Sequence, residues 1–190
     1  MKFLDALLGR TKPKQANLDA LFALPGAAVT LEAGAGLRPS GEAAVCFKPA
    51  SGQGFATTSG ELAELLAMAV KEAGSTLRVE EDAYGYRWVV LGDPELEDLV
   101  TSVHLVNATL EERGFGPQLL CSVFGFRGAD GERCLLVYLY KRGTFYPFAP
   151  RQGERRDNEL ELRVRATLGA DLPVEPELTR WFALWGVPVS

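Results

Sequence analysis

The sequence is poor in the residue types from which most metal and nucleophilic sites are built. Its three cysteines, Cys46, Cys121 and Cys134, lack Cys-x-x-Cys spacing, and His104 is its only histidine. An odd number of scattered cysteines argues against a disulfide framework, and it gives poor support to a zinc site. We therefore expect a reducing compartment, no metal and no cofactor.

Long apolar runs and excess positive charge are also missing. No apolar run approaches the roughly 20 residues of a transmembrane helix, and the N-terminus lacks the apolar region and cleavage site of a signal peptide. The net charge is −5, and no stripe of Lys and Arg runs through the body of the chain to attract nucleic-acid phosphates. These features predict a cytoplasmic protein without a nucleic-acid partner.

The composition is that of a globular domain. Hydrophobic residues make up 47% of the chain and charged residues 24%, and 190 residues lie at the upper end of one domain. We expect a single α+β domain over residues 15–190, preceded by a basic amphipathic segment at 1–14.

Residues 1–14 have two interpretations. Phe3, Leu4 and Leu7 share one helical face, and the flanks carry lysine and arginine. Basic flanks beside an apolar face favour anionic lipid headgroups, so the segment is a candidate for peripheral contact with the inner face of the membrane, or for docking on a partner. Alternatively, this helix packs on its own domain.

The most apolar part of the chain is a predicted hairpin. In Gln118 to Phe126 and Cys134 to Lys141 nearly every residue is apolar, which is typical of central strands covered on both faces. A turn at Ala129-Asp130 or Asp130-Gly131 would place Cys134 opposite residue 125 or 127, away from Cys121.

The exit from this hairpin, residues 141–150, is predicted to be a loop because its two prolines would stop the strand pairing. Three aromatic side chains in it either cover the sheet or form a partner-binding patch with a polar rim. The candidate partner-binding residues of this loop are Lys141, Arg142, Phe145, Tyr146 and Phe148.

Patterning and turn residues predict the remaining elements. The sheet has about six strands, largely antiparallel, with helices mainly on one face. Other predicted strands are Ala27 to Ala33, Glu42 to Lys48, Thr76 to Asp82 and Tyr84 to Leu91; predicted helices are Asn17 to Leu24, Thr58 to Ala73, one from Asp93-Pro94 to Gly114, and Pro176 to Trp185. Residues 158–168 fit a strand or a helix, and the cap at Asn158 and stop at Gly169 favour a helix.

One interpretation of the sequence is that the protein is an enzyme or binds a small ligand. His104 could act as a base near neutral pH, and Tyr84, Tyr86 and Trp88 share one face of a predicted strand that could line a ligand cleft. The sequence supplies His104 with no nucleophile or paired carboxylate at a recognisable spacing. A small-ligand-binding or hydrolytic protein would need a pocket near both features.

Several segments resemble the PspA-associated protein B family over nearly the full length. The most specific segment is LVYLYKRGTFYPFAP at 136–150. The others are FLDALLGRTKPKQANLDALFALP at 3–25, YGYRWVV at 84–90, GFGPQLLCSVFGF at 114–126 and RWFALWG at 180–186.

This resemblance implies a role in the phage-shock, envelope-stress system. The expected function is that of a non-enzymatic adaptor that binds a PspA-like protein, beside an HtpX-type membrane protease. The family offers no catalytic residues to carry over. The predicted order of elements is also similar to secretion-chaperone-like and YbjN-like folds, which bind other proteins.

Overall fold

A six-stranded antiparallel sheet forms the centre of the molecule. The computed structural model describes residues 17–48, 64, 66–68, 70, 74–169 and 171–190. The strands lie in the order β2-β3-β1-β4-β5-β6, and every neighbouring pair is antiparallel. Their bounds are β1 Leu37–Phe47, β2 Thr76–Glu81, β3 Arg87–Gly92, β4 Leu119–Gly128, β5 Arg133–Leu139 and β6 Thr144–Phe148. The predicted α+β class and the single-domain layout are confirmed.

Helices cover one face of this sheet, which we call the helical face. They are α1 Leu24–Ala35, α2 Leu96–Glu112 and α3 Asn158–Leu168, with a 3-10 turn at Leu18–Ala23 leading into α1. Residues alternate along β1, so Ala43 and Val45 join the core under the helices while Ala44 and Cys46 point to the second face. Leu66 and Val70, which are helical, are buried in the same core.

The predicted strand Ala27 to Ala33 is wrong, because these residues belong to α1. Pro25 does not end a helix here. It lies in the first turn of α1, where the missing N–H has no helical partner to lose. The helix instead ends at Gly36, whose φ of 69° glycine adopts at little cost. The sheet nevertheless has the predicted six strands, because β6, which was not predicted, takes the place of the strand predicted at 27–33.

The helical stretch Leu18–Ala35 is long and apolar enough, by length and composition alone, to cross a membrane. A core helix meets the same criteria, and this one has a buried face. Leu21, Leu24 and Leu31 are fully buried in the core under the helices. The stretch therefore contributes to the domain core.

Two other helix predictions are confirmed, although the residues that cap these helices differ from the predicted ones. The helix predicted after Asp93-Pro94 is α2. Its N-cap is Glu95, and the Asp93 carboxylate accepts the backbone N–H of Glu95. Residues 158–168 form α3, as the stop at Gly169 indicated. Its N-cap is Asp157 rather than Asn158, and the Asp157 carboxylate accepts the N–H of Leu160.

The apolar hairpin is central, as predicted, because β4 lies between β1 and β5. Its register differs by one residue from both predicted turns: Cys134 pairs with Phe126, and residues 129–132 connect the two strands. Cys121 pairs with Leu139, so the predicted separation of Cys121 from Cys134 is correct. All three cysteines are free thiols.

The predicted loop at 141–150 is wrong. Residues Thr144–Phe148 form β6, which pairs with β5 at the edge of the sheet. Pro147 is tolerated because an edge strand leaves one row of backbone groups unpaired within the sheet. Residues 151–157, whose charged sequence predicts a mobile segment, instead take part in a short hairpin between Pro150–Arg151 and Arg155–Arg156.

The second face of the sheet is covered by residues 173–190, which we call the C-terminal segment. The predicted helix Pro176 to Trp185 is wrong, because only Leu178–Arg180 forms a 3-10 turn. Beside β6 this segment makes two backbone hydrogen bonds, from Phe145 N–H to the Pro173 carbonyl and from Glu175 N–H to the Phe145 carbonyl. Its Trp181, Val187 and Val189 are buried against the second face.

Three predicted features lie outside the described residues. They are the amphipathic segment 1–14 with Phe3, Leu4 and Leu7, the surface loop that the glycines and proline of 49–54 predict, and the capping box that Thr58 and Glu61 predict at the start of the Thr58 to Ala73 helix. The helix predicted from Thr58 to Ala73 is confirmed at residues 64, 66–68 and 70. The boundary at residue 14 stays a prediction.

Candidate functional site

Tyr146 and Phe148, two of the aromatic residues predicted to bind a partner, instead hold the C-terminal segment, whereas the ring of Phe145 packs in the core under the helices. Phe145, Tyr146 and Phe148 are all buried, so they form no exposed patch. The Tyr146 hydroxyl donates to the Phe182 carbonyl at 3.0 Å, and its ring stacks on Trp181 with centroids 6.3 Å apart. Phe148 meets Trp185 edge to face at 5.0 Å. Of the two sequence interpretations, covering the sheet is the correct one for these three residues.

The basic residues before β6 divide into an exposed lysine and a structural arginine. Lys141 is exposed. Arg142 donates from Nε to the carboxylate of Glu175, which is fully buried and also accepts from Thr144 at 3.0 Å and from Arg180 at 3.3 Å. Burial acts to raise the pKa of Glu175, but these hydrogen bonds outweigh it and hold the pKa below its ordinary value. The site therefore fastens the C-terminal segment to the sheet edge.

His104 lies on α2, on the helical face. Its ring packs on Phe22 with centroids 5.0 Å apart, and its Nε2 is 3.8 Å from a carboxylate oxygen of Asp19. The predicted combination of His104 with the aromatic strand is wrong, because Trp88 points to the opposite face of the sheet. His104 therefore cannot contribute to a site on the face of the sheet that carries Trp88.

A cleft of about 420 Å³ opens on the second face, between the β2–β3 turn and the C-terminal segment. Its floor is formed by Cys46, Cys121 and Trp88, and its rim by Tyr84 and Phe182. The rim rings are exposed to 78% and 59%, respectively. Large aromatic side chains this exposed, above an apolar floor, are typical of a binding surface.

Asp82 fixes the shape of the rim on the β2–β3 side. Its carboxylate accepts the Tyr84 N–H at 2.9 Å, the Tyr86 N–H at 3.0 Å and the Trp88 indole N–H at 3.0 Å. Burial acts against ionisation, but these three donors lower the pKa of Asp82 below its ordinary value. The carboxylate is thus already bonded to two backbone N–H groups and one indole N–H, and the lining of the cleft is mainly apolar.

The two thiols of the floor are neighbours on adjacent strands. Cys46 on β1 pairs directly with Cys121 on β4. The contact with Cys121, followed by burial, raises the pKa of Cys46 far above its ordinary value. Within the described part of the chain, no three His, Cys, Asp or Glu side chains converge as a metal ion would require.

The fold and the cleft define a class of protein: an α+β domain with an antiparallel sheet, helices on one face and an aromatic cleft on the other. The family follows from sequence. The family model described as PspA associated protein B matches residues 1–189, so the chain belongs to that family. No curated protein and no solved structure matches it significantly. The likeness to secretion-chaperone-like and YbjN-like folds stays a prediction.

Sequence reasoning found one side of the cleft and missed the other. The alternation of Tyr84, Tyr86 and Trp88 correctly placed an aromatic face, which lies opposite the C-terminal segment. Phe182 and the pairing of Cys46 with Cys121 were missed. No local signal reports which residues two distant strands bring together, and the helical spacing of Leu178, Trp181, Phe182 and Trp185 pointed to the wrong element.

Proposed function

We propose that the chain is a non-enzymatic adaptor of the PspA membrane-stress response, which binds a PspA-type protein through the cleft between Tyr84 and Phe182. Membership of the PspA-associated family supports the partner. The choice of this cleft as the binding surface rests on the exposed aromatic pair of its rim. The two rings come from separate segments and lie on either side of a mainly apolar floor.

The dimensions suit an apolar side chain of a partner. A volume of about 420 Å³ accommodates a few large side chains rather than a whole helix, so the cleft would be the centre of a larger contact. Central aromatic residues that surround a desolvated pocket carry most of the binding free energy in many interfaces. The carboxylate of Asp82 already has three donors, so an apolar group would not strand it unpaired.

Two features support a role without catalysis. The thiols of the cleft lie on the opposite face of the sheet from His104, the chain's only histidine, which therefore cannot act on them as a base. The pKa of Cys46 is raised, so its thiolate is scarce and reacts slowly, which does not suit the nucleophile of an enzyme that must turn over. We place the adaptor in the cytoplasm, at the inner face of the membrane when residues 1–14 bind lipid. An HtpX-type protease remains a proposed further partner.

The test is a binding titration of the full chain with a purified PspA-type protein from the same organism. Replacing both rim residues, Tyr84→Ala and Phe182→Ala, should weaken binding by about 30-fold or more, which corresponds to a hot spot of at least about 2 kcal/mol. Both changes keep the backbone groups that bond Asp82 and Tyr146, so the fold should persist.

Phe22→Ala is the matched control. It also removes a half-exposed phenylalanine, 50% accessible, but on the helical face. Its affinity should equal that of the wild type. Unchanged binding by the rim variant would exclude the cleft as the surface, and no binding by the wild-type chain would exclude a direct PspA-type partner.

A further inference from the structure

The floor of the cleft carries a row of side chains that crosses four strands. Cys46 pairs with Trp88 on one side and with Cys121 on the other, and Cys121 pairs with Leu139. Two thiols that are directly opposite on antiparallel strands have Cα atoms about 4.5 Å or about 5.5 Å apart, depending on the type of pair. Both separations lie within the range of about 4.4–6.8 Å that a disulfide requires.

We propose that Cys46 and Cys121 are a thiol–disulfide modification site, oxidised by a small peroxide that enters the cleft. Cys46 and Cys121 are only 3% and 6% exposed, yet both line the cleft, which is far wider than hydrogen peroxide. A small oxidant can therefore reach both sulfurs through the cleft.

The reaction consumes one peroxide for each disulfide. One sulfur, after losing its proton to water, attacks a peroxide oxygen, the O–O bond breaks, and a water molecule leaves as the sulfenic acid forms. The second sulfur then attacks the first, the S–O bond breaks, and a second water molecule leaves. Two thiols are oxidised and one peroxide is reduced to two waters. A small dithiol reverses the change by thiol–disulfide exchange.

Cys134 provides a contrast within the same chain. It is fully buried on the helical face, where it pairs with Phe126 and lines no described cleft. Burial is the main cause that raises its pKa. It has no cysteine opposite it, so it lacks both access and a partner sulfur. Oxidation of the folded chain should therefore use Cys46 and Cys121 and spare Cys134.

A consequence for binding rests on the function proposed above. A side chain of the partner that fills the cleft would cover both thiols, so oxidation should be slower in the complex. Formation of the disulfide in the free chain does not depend on any partner. The two ideas can therefore fail separately.

The experiment treats the folded full-length chain with hydrogen peroxide, blocks remaining thiols, and maps cross-linked peptides by mass spectrometry. We expect two of the three thiols to be lost, one intramolecular link between Cys46 and Cys121, and full recovery with dithiothreitol. The Cys134→Ala variant should behave identically, and Cys46→Ser or Cys121→Ser should form no intramolecular link. The mapping of the wild-type chain decides the matter even if a variant fails to fold.

Selectivity for the folded state is checked by repeating the oxidation in denaturant, where links to Cys134 should also form. Links to Cys134 in the folded chain, links between molecules only, or sulfinic acids without any link would overturn the proposal. If the Cys46–Cys121 link forms equally fast with a saturating PspA-type partner, the thiol site stands and the cleft is not where that partner binds.

Discussion

The two faces of the sheet are covered in different ways. The helical face is covered by α1, α2, α3 and the helical residues around Leu66 and Val70, whose apolar side chains form one continuous core with the sheet. The second face has a segment with little regular structure, held by side-chain hydrogen bonds from Arg142, Tyr146 and Arg156. Phe124, in the core under the helices, and Glu175, in the C-terminal segment, are both fully buried, one by apolar packing and the other with hydrogen bonds.

This difference explains where the cleft lies. A helix satisfies its own backbone groups, so it can bury a whole apolar stripe without help. An irregular segment needs partners for its backbone, as when the Trp181 indole donates to the Glu175 carbonyl at 3.0 Å. It therefore touches the sheet at a few anchored points. Between these anchors and the β2–β3 turn an aromatic cleft remains.

The chain carries probes that separate the two faces. All three tryptophans, Trp88, Trp181 and Trp185, lie on the second face. Tryptophan fluorescence consequently reports the C-terminal segment, whereas far-ultraviolet circular dichroism reports mainly the helices. Both signals can be followed while the protein is denatured.

The largest effect is expected under the helices. Phe124→Ala should lower the free energy of unfolding by about 3–5 kcal/mol, because a fully buried ring is lost from a core that cannot close around the cavity. Both spectroscopic signals should shift together in a denaturant titration.

Phe148→Ala is the matched comparison on the second face. Its ring is equally buried, but it packs against Trp185 of the irregular segment, which can move to fill space. The loss should be about 3 kcal/mol or less, at the lower end for such changes. A larger loss for Phe148→Ala than for Phe124→Ala would contradict the distinction between the two faces.

A smaller effect is expected at the anchor of the C-terminal segment. Glu175→Ala removes hydrogen bonds to Arg142, Thr144 and Arg180 and should cost about 1.5–3 kcal/mol, since both arginines are partly exposed and regain water. Fluorescence should change at lower denaturant concentration than circular dichroism does.

Glu177→Ala is the control for this change. Glu177 is exposed and lies two residues further along the same segment, and its backbone N–H, which bonds Glu175, is retained. Its unfolding curve should match that of the wild type. Coincident fluorescence and circular dichroism transitions in Glu175→Ala would show that the segment does not open separately.

The sequence predicted what local patterns encode and failed where distant contacts decide. The period of α2 and the unbroken apolar strands β4 and β5 gave the sheet centre and one helix layer correctly. Residues 27–33 are predicted to be a strand because Pro25 and Gly26 are expected to end the preceding helix and a Gly/Pro/Ser turn follows. Packing of Leu31 on the sheet outweighs that local preference.

The candidate site shows the same limit more sharply. Phe145, Tyr146 and Phe148 read as an exposed patch or a cover, and the sequence could not say which. The burial of Tyr146 and Phe148 depends on the C-terminal segment, which returns along the edge of the sheet, and Tyr146 bonds Phe182, 36 positions later. A single sequence carries no sign of that return.

The smallest predicted effect is a pH dependence of the same anchor. The folded pKa of Glu175 is lowered from an ordinary 4.5, so its stabilisation is complete above that value and is lost as the pH falls through the lowered pKa. Glu175→Gln lacks this titration. Below about pH 4.5 the fluorescence midpoint of the wild type should therefore fall more steeply with acid than that of Glu175→Gln, while circular dichroism differs less. Equal acid dependence in the two proteins would show that other carboxylates, such as Asp157 at the start of α3, control the acid response.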